Sequence, residues 1–289
     1  MVICQLQRNS WIPVVFSTLL STGIILSFIL AYAKNGVKSG FPHISDTASQ
    51  QPQSGIFCIF LFLSAFAAFL CMMVRYASVT EGNVSSSMAV NVINKLSLLF
   101  GTVSLGGMMV VGAYPLSDPP VYILRTEWRH IATRPHSIAA IVLFSCVNAY
   151  CFLHTILTII QRKREGIVIC YLRVAIFIFT VSCYITMKIY GARHSASKNC
   201  KDCFGSHGNQ IEPFRMNVTL PGESKEAVAL TDADKSAISE LGLAVCLVIY
   251  FLTFVKEFRH VSLSIVTKYE AQPHTVVPTK NYQMSTYDE

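Results

Sequence analysis

Acidic and basic side chains with the potential for catalysis occur between apolar segments of this 289-residue chain. They are imidazoles and carboxylates, namely His43, Asp46, Glu127, His130 and His136. Such groups act as general acids and bases in hydrolases and lipid-modifying enzymes. However, no spacing among them is diagnostic, and the chain has no zinc-protease, nucleophile-elbow, phosphate-loop or dinucleotide motif. We therefore predict a protein that is not an enzyme, with no catalytic residues and no cofactor.

A second group combines thiols with imidazoles. Two residues separate Cys200 from Cys203, and His194 and His207 flank them. Two thiolates and two imidazoles suit a tetrahedral zinc ion, but the histidine spacing fits no standard zinc finger. A local disulfide between Cys200 and Cys203 is the alternative if this segment lies in an oxidising compartment. We favour the disulfide and predict no bound metal.

The composition is typical of a membrane protein. Charged residues make up 13% of the chain and hydrophobic residues 52%, and the mean hydropathy is +0.47. Soluble domains contain about 25% charged residues, so a soluble fold is excluded. The net charge of +7 comes from basic residues scattered between apolar segments, without the stripe that binds nucleic acid. The expected partners are the lipid bilayer and unidentified membrane or cytosolic proteins, and not nucleic acid.

Six apolar segments are long enough to cross a bilayer, for which about 18 residues suffice. They lie at approximately 11–33, 55–75, 96–115, 137–160, 167–188 and 238–255. The first exceeds the apolar part of a signal peptide, so we expect it to be retained. Because the segments are too continuous for barrel strands, the sequence predicts an all-α, polytopic bundle of six transmembrane helices. Glycines in the third segment favour close helix packing; they are Gly101, Gly106, Gly107 and Gly112.

Basic residues and glycosylation sequons predict the orientation. The cluster Arg162-Lys163-Arg164 lies in a short connection, which places that connection in the cytosol. Residues 1–260 then form the membrane domain, with a lumenal loop at 191–237 and a cytosolic tail at 261–289. Arginines between residues 117 and 135 argue for the reverse orientation, but the sequon at Asn217 requires the lumenal side. We predict that Asn217 is glycosylated and that the sequon at Asn83, on the opposite face, is unused.

Charges inside the spans are costly to bury, so we expect them at membrane boundaries. Arg75 and Lys188 lie near span ends, and Glu240 lies about one turn inside the last span. Arg173 lies deeper, where it either reaches the cytosolic surface by snorkelling, which we favour, or faces a polar cavity. Beyond residue 254, apolar residues recur at helical spacing, which predicts a continued or interfacial helix.

Short motifs along nearly the whole chain are shared with one family of membrane proteins. Three occur in the first quarter: Trp11-Ile12-Pro13, Pro42-His43-Ile44-Ser45-Asp46-Thr47 and Pro52-Gln53-Ser54-Gly55-Ile56-Phe57. Later matches are Arg75-Tyr76, Ser239-Glu240 and Tyr250-Phe251-Leu252-Thr253-Phe254. Together they resemble the DRAM family, the damage-regulated autophagy modulators. The resemblance marks Ser45, Asp46, Thr47, Ser54, Gly55, Arg75, Tyr76 and Glu240 as family-motif residues.

The resemblance implies a non-enzymatic, six-span endomembrane protein that modulates autophagy and lysosomal function in the lysosomal or endosomal membrane. Relatives in the wider superfamily imply two alternatives, GPI-anchor lipid remodelling in the Golgi and regulation of a phosphoinositide kinase at the plasma membrane. For the segment Pro42 to Thr47 we expect a local turn made by side-chain acceptors. The functional alternative is that Asp46 and His43 contact a lipid headgroup or a lumenal partner.

Overall fold

The computed structural model describes residues 2–6, 9–34, 41–84, 86–116, 127, 129–204 and 230–266, with the backbone alone for 2–6, 129, 198–204 and 263–266. Six long helices dominate: α1 (Trp11–Ala33), α3 (Gln53–Gly82), α4 (Met88–Ala113), α5 (Arg134–Ile160), α7 (Ile167–Phe204) and α8 (Asp232–Leu252). The short helices are α2 (Ile44–Thr47), α6 (Arg162–Glu165) and α9 (Phe254–Phe258), and a π-helical turn (Arg129–Thr133) precedes α5. Within these described ranges, six helical segments are long and apolar enough to cross a membrane, which confirms the predicted all-α bundle.

Both ends of the described chain lie at the same end of the bundle. Strand β1 (Val2–Leu6) pairs antiparallel with β2 (Leu263–Val266), and the Asn9 side chain donates a hydrogen bond to the carbonyl oxygen of Val261. We call this end, which also carries residues 161–166, the terminal end. The opposite end, with residues 41–52 and 230–231, is called the far end. Helix α9 ends at Phe258, and strand β2 occupies Leu263–Val266, where the apolar spacing predicted a continued helix.

The fifth long helix extends further than its apolar segment. It continues to Phe204, so the first part of the segment 191–237 is helical. Cys200 and Cys203 belong to its last turns, but their side chains lie outside the described set, so the expected disulfide stays a prediction. His207 and Asn217 lie outside the described residues altogether.

The six long helices form a ring. Each packs chiefly against two others, in the order α1, α3, α4, α5, α7, α8 and back to α1. Glycine permits the closest approach between α4 and α5, because a Cβ on Gly107 would lie 2.8 Å from the carbonyl oxygen of Ala139. In contrast, a Cβ on Gly106 would meet nothing within 4 Å, so this glycine does not serve the packing predicted for it. Large apolar side chains cover the outside of the ring, as a lipid environment requires; examples are Ile25, Ile59, Phe66 and Ile178.

Candidate functional site: a buried charge cluster and a central cavity

Four charged side chains meet inside the bundle at the terminal end. Arg75 of α3 contacts Glu165 of α6 through Nη2 and Oε1 at 2.5 Å, and Glu257 of α9 through Nη1 and Oε2 at 2.5 Å. Arg173 of α7 contacts the other oxygens of the same carboxylates, at 2.9 Å for Glu165 and 2.6 Å for Glu257. Each carboxylate thus bridges two guanidinium groups. We refer to Arg75, Glu165, Arg173 and Glu257 as the charge cluster.

The charge cluster is buried and electrically balanced. Arg173 is 0% exposed and Arg75 is 2% exposed. Removing an ion from water costs several kcal/mol, a cost that pairing and hydrogen bonds must offset. Hydroxyl oxygens of Thr158 and Thr253 accept further hydrogen bonds from the Arg173 guanidinium, at 2.6 and 2.9 Å. The cluster therefore joins α3, α6, α7 and α9 by charge-assisted bonds.

Backbone geometry and an aromatic ring position these groups. Gly166 has a φ of 94°, a conformation that favours glycine, and it lets the chain reverse between α6 and α7 directly after Glu165. The ring of Phe254 lies 4.5 Å from the guanidinium carbon of Arg173 and 5.5 Å from that of Arg75. Although burial favours a neutral Glu165, Arg75 and Arg173 lower the pKa of this carboxyl below its ordinary value. Glu165 is accordingly ionised in the cluster.

The structure corrects the expectation for Arg173. This side chain does not snorkel to the surface; it points into the bundle and is fully buried. Glu165 and Glu257 were not identified from sequence. Charge balance is the signal that could have identified these two carboxylates. Two arginines buried in apolar spans, Arg75 and Arg173, require two carboxylates as partners.

An ion pair at the far end joins the α2 segment to α8. Nδ1 of His43 lies 2.5 Å from Oε2 of Glu240. Next to it, the backbone N–H of Phe41 donates to Asp234 at 2.7 Å, and Asp234 also completes a capping box with Thr231. The segment before α3 is therefore fixed to the start of α8. Burial alone would lower the pKa of His43, but the hydrogen bond and charge of Glu240, aided by Asp46, raise it above its usual value.

We expect the His43–Glu240 pair to make the protein more stable at mildly acidic than at mildly alkaline pH. The unfolded-state pKa of histidine is about 6.5, and the folded-state pKa is higher. The stabilisation is thus complete below about pH 6.5 and is lost as the pH rises through the folded-state pKa. Thermal unfolding of the purified protein from about pH 5 to about pH 8 measures it. The variant His43→Gln should lose this part of the pH dependence; an unchanged profile would contradict the assignment.

A central cavity of about 490 Å³ lies within the ring and reaches the far end. Its walls are apolar and come from all six long helices, with Phe16, Leu61, Met108, Val147 and Phe251 as representatives. Polar and charged groups line its outer part: His43, Asp46, His136, Lys188, His194 and Glu240. The cavity thus combines an apolar interior with a polar entrance.

Residues 8–261 match the family model described as the Frag1/DRAM/Sfk1/Cwh43P N-terminal domain. The chain belongs to this family. Among curated proteins, it is 26% identical over 267 residues to human DNA damage-regulated autophagy modulator protein 1, covering 92% of this chain and 98% of that protein. It is 22% identical to human modulator protein 2, over 92% of both chains. It is also 25% identical to the Xenopus laevis modulator of macroautophagy TMEM150B-B, over 60% of this chain and 67% of that protein. No solved structure matches.

The residues singled out by resemblance to the DRAM branch of this family occupy both ends of the bundle. At the far end, Ser45 and Asp46 line the cavity, and Thr47 donates a local hydrogen bond to the carbonyl oxygen of Ile44 at 2.7 Å. Ser54 and Gly55 lie in the first turn of α3 nearby, and Glu240 pairs with His43. At the terminal end, Arg75 is in the charge cluster, whereas the backbone carbonyl of Tyr76 accepts a hydrogen bond from Asn94. The motif segment at 42–47 therefore contains a local turn, helix α2, but the Thr47 side chain donates its hydrogen bond there, whereas side-chain acceptors were expected.

The described part of the chain contains neither a disulfide nor a metal-binding group. The thiols with described side chains are unpaired and belong to the helices: Cys58, Cys71, Cys146, Cys151, Cys170, Cys183 and Cys246. Within the described residues, no group of three or more His, Cys, Asp or Glu side chains is arranged to hold a metal ion. The zinc alternative includes His207 and the side chains of Cys200 and Cys203, which the structure does not describe.

Proposed function

We propose that this chain is a non-enzymatic, multi-pass modulator of autophagy and lysosomal function, located in the lysosomal or endosomal membrane. The observation that carries this proposal is the match over 92% of the chain to a human protein named as an autophagy modulator. The two human relatives and the Xenopus laevis relative all carry modulator in their names. A regulator of this kind acts through membrane or cytosolic protein partners.

The geometry supports a regulatory rather than a catalytic role. At the terminal end, Glu165 and Glu257 are both engaged by arginines, and at the far end Glu240 is engaged by His43. Carboxylates held by arginines join helices and are poorly placed to exchange protons with a substrate. The His43–Glu240 pair likewise joins two elements, the α2 segment and α8. The charge cluster fixes one end of the ring, while the cavity opens towards the other. A partner or ligand at the far end then acts on a bundle whose terminal end is held firmly.

Autophagic flux after depletion of the protein tests this function. Turnover of an autophagic cargo, measured with and without lysosomal inhibition, should fall on depletion and recover with the wild-type chain. In parallel, near-endogenous protein should coincide with lysosomal or endosomal markers. Unchanged flux would contradict the role in autophagy. A Golgi or plasma-membrane location would instead favour lipid remodelling or phosphoinositide-kinase regulation, respectively.

We further propose that the terminal end faces the cytosol, and glycosylation offers a direct test. Asn83 lies near this end, and its side-chain amide nitrogen donates to the Ser87 carbonyl and to Asn91 Oδ1, each at 3.0 Å. Asn217 should therefore be the glycan acceptor. Deglycosylation should increase the gel mobility of the wild type and of Asn83→Gln, and should have no effect on Asn217→Gln. If the glycan were lost only in Asn83→Gln, the terminal end would face the lumen and not the cytosol.

A further inference from the structure

We propose that the central cavity binds one single-chain lipid with an anionic headgroup. The acyl chain would lie between the helices, and the headgroup would lie at the far end beside Lys188, His136 and His194. This inference goes beyond the role in autophagy and does not depend on it, because binding is a property of the purified protein.

The shape and lining of the cavity favour a hydrocarbon chain. The space lies within the ring and opens at the far end, and its wall extends from Leu116 and His136 at that end to Met72 and Phe251 deep in the bundle. Met72 is 1% exposed and Phe251 is 2% exposed, so the inner part is shielded from water. The volume of about 490 Å³ lies in the lower half of the range for ligand sites, about 300–1000 Å³. One chain suits this space better than the two chains of a membrane phospholipid.

Charge at the entrance favours an anionic headgroup on the side of α5 and α7. Among the described residues, Lys188 has no carboxylate within ion-pair distance, and its Nζ lies 5.6 Å from the centre of the Tyr184 ring. The two acids that line the cavity lie on other elements, Asp46 on α2 and Glu240 on α8. Glu240 is already paired with His43. Among the described residues that line the cavity, Lys188 is therefore a cation available to a ligand.

A buried imidazole supplies a second contact. His136 is only 5% exposed and lines the cavity beside the entrance. Its Nδ1 donates to the carbonyl oxygen of Tyr114 at 2.6 Å, which holds the ring in one orientation. With Nδ1 occupied, Nε2 is the ring nitrogen left to contact a ligand. His194 lines the same entrance from α7, one to two turns beyond Lys188.

Photocrosslinking with three single-chain probes tests the proposal. Purified full-length protein in nanodiscs is exposed to photoreactive analogues of a fatty acid, a lysophosphatidic acid and a monoacylglycerol. The first two are anionic, with a carboxylate and a phosphate respectively, and the third is neutral. We expect at least one anionic probe to label peptides that line the cavity, with the neutral probe labelling them weakly. The comparison of the two anionic probes identifies the headgroup.

Matched variants connect the labelling to named residues. Lys188→Gln should reduce labelling by the anionic probe about tenfold, because it removes a charge-assisted hydrogen bond. Lys235→Gln is the control, since Lys235 lies at the same end but outside the cavity lining and is 3.7 Å from Asp232. Ala140→Phe, one turn deeper than His136, should abolish labelling by filling the cavity.

Three outcomes would overturn the assignment. They are equal cavity labelling by neutral and anionic probes, equal labelling of the Lys188→Gln and Lys235→Gln variants, and crosslinks confined to the lipid-facing surface around Ile178. If Ala140→Phe fails to fold, the comparison of the two lysine variants still decides the headgroup contact. Absent cavity labelling together with reduced flux on depletion would refute this proposal alone, whereas cavity labelling together with unchanged flux would refute the role in autophagy alone.

Discussion

Replacing Arg173 by methionine is expected to destabilise the folded protein by about 3–5 kcal/mol, the range for breaking a buried ion pair. The substitution leaves Glu165 and Glu257 buried with a single cation, Arg75, between them. It also removes the donors to the hydroxyls of Thr158 and Thr253. Thermal unfolding of the purified protein in detergent measures the effect, and the yield of monodisperse protein provides a second measure.

Two further variants show whether charge balance is the cause. Lys163→Met makes the same substitution of a basic residue at an exposed position of α6 and should change stability by no more than about 0.5 kcal/mol. The double variant Arg173→Met, Glu257→Gln removes one charge of each sign and should recover part of the loss, because the remaining Arg75 and Glu165 still pair. If Arg173→Met and Lys163→Met were equally stable, the charge cluster would not hold the helices together.

The spans were predictable from sequence, but the charge cluster was not. Hydrocarbon thickness sets the length of an apolar segment, so six long apolar segments, two of them interrupted by a single charge, suffice to predict six helices. The partners of a buried charge are a property of the whole fold. Arg75 and Glu257 are 182 residues apart in sequence, and no local pattern joins them. A lone arginine inside an apolar span suggests snorkelling, and only the folded ring reveals that Arg173 has two carboxylates within reach.

At the far end, too, a contact between residues distant in sequence was not predictable. The Pro42 to Thr47 motif was recognisable by resemblance, and its local turn followed from residue types alone. Its main tertiary contact, from His43 to Glu240, spans 197 residues and was missed. The length of α7 was missed for a different reason. Its polar last turns resemble a loop in a hydropathy scan, because such a scan detects where a helix leaves the membrane and not where the helix ends.

Adding one methyl group to Gly107 is expected to destabilise the ring by about 2 kcal/mol, within the range for overpacking a tight core. A Cβ at this position would lie 2.8 Å from the carbonyl oxygen of Ala139 and 2.9 Å from the backbone nitrogen of Leu143. Both are backbone atoms of α5, so relief requires α4 and α5 to move apart. Since α5 also carries His136 and Ala140, Gly107→Ala should weaken lipid labelling of the cavity as well.

The adjacent glycine provides a control of opposite sign. Gly106 faces outward, with nothing within 4 Å of its would-be Cβ, and it lies in the same turn of α4. Because alanine favours the helix over glycine by up to about 1 kcal/mol, Gly106→Ala should leave stability unchanged or raise it. Thermal unfolding of the two variants side by side therefore separates backbone contact from helix propensity. If the two variants had equal thermal stability, the contact of Gly107 with α5 would not limit how closely α4 and α5 approach. The packing of these two helices would then not explain the shape of the cavity.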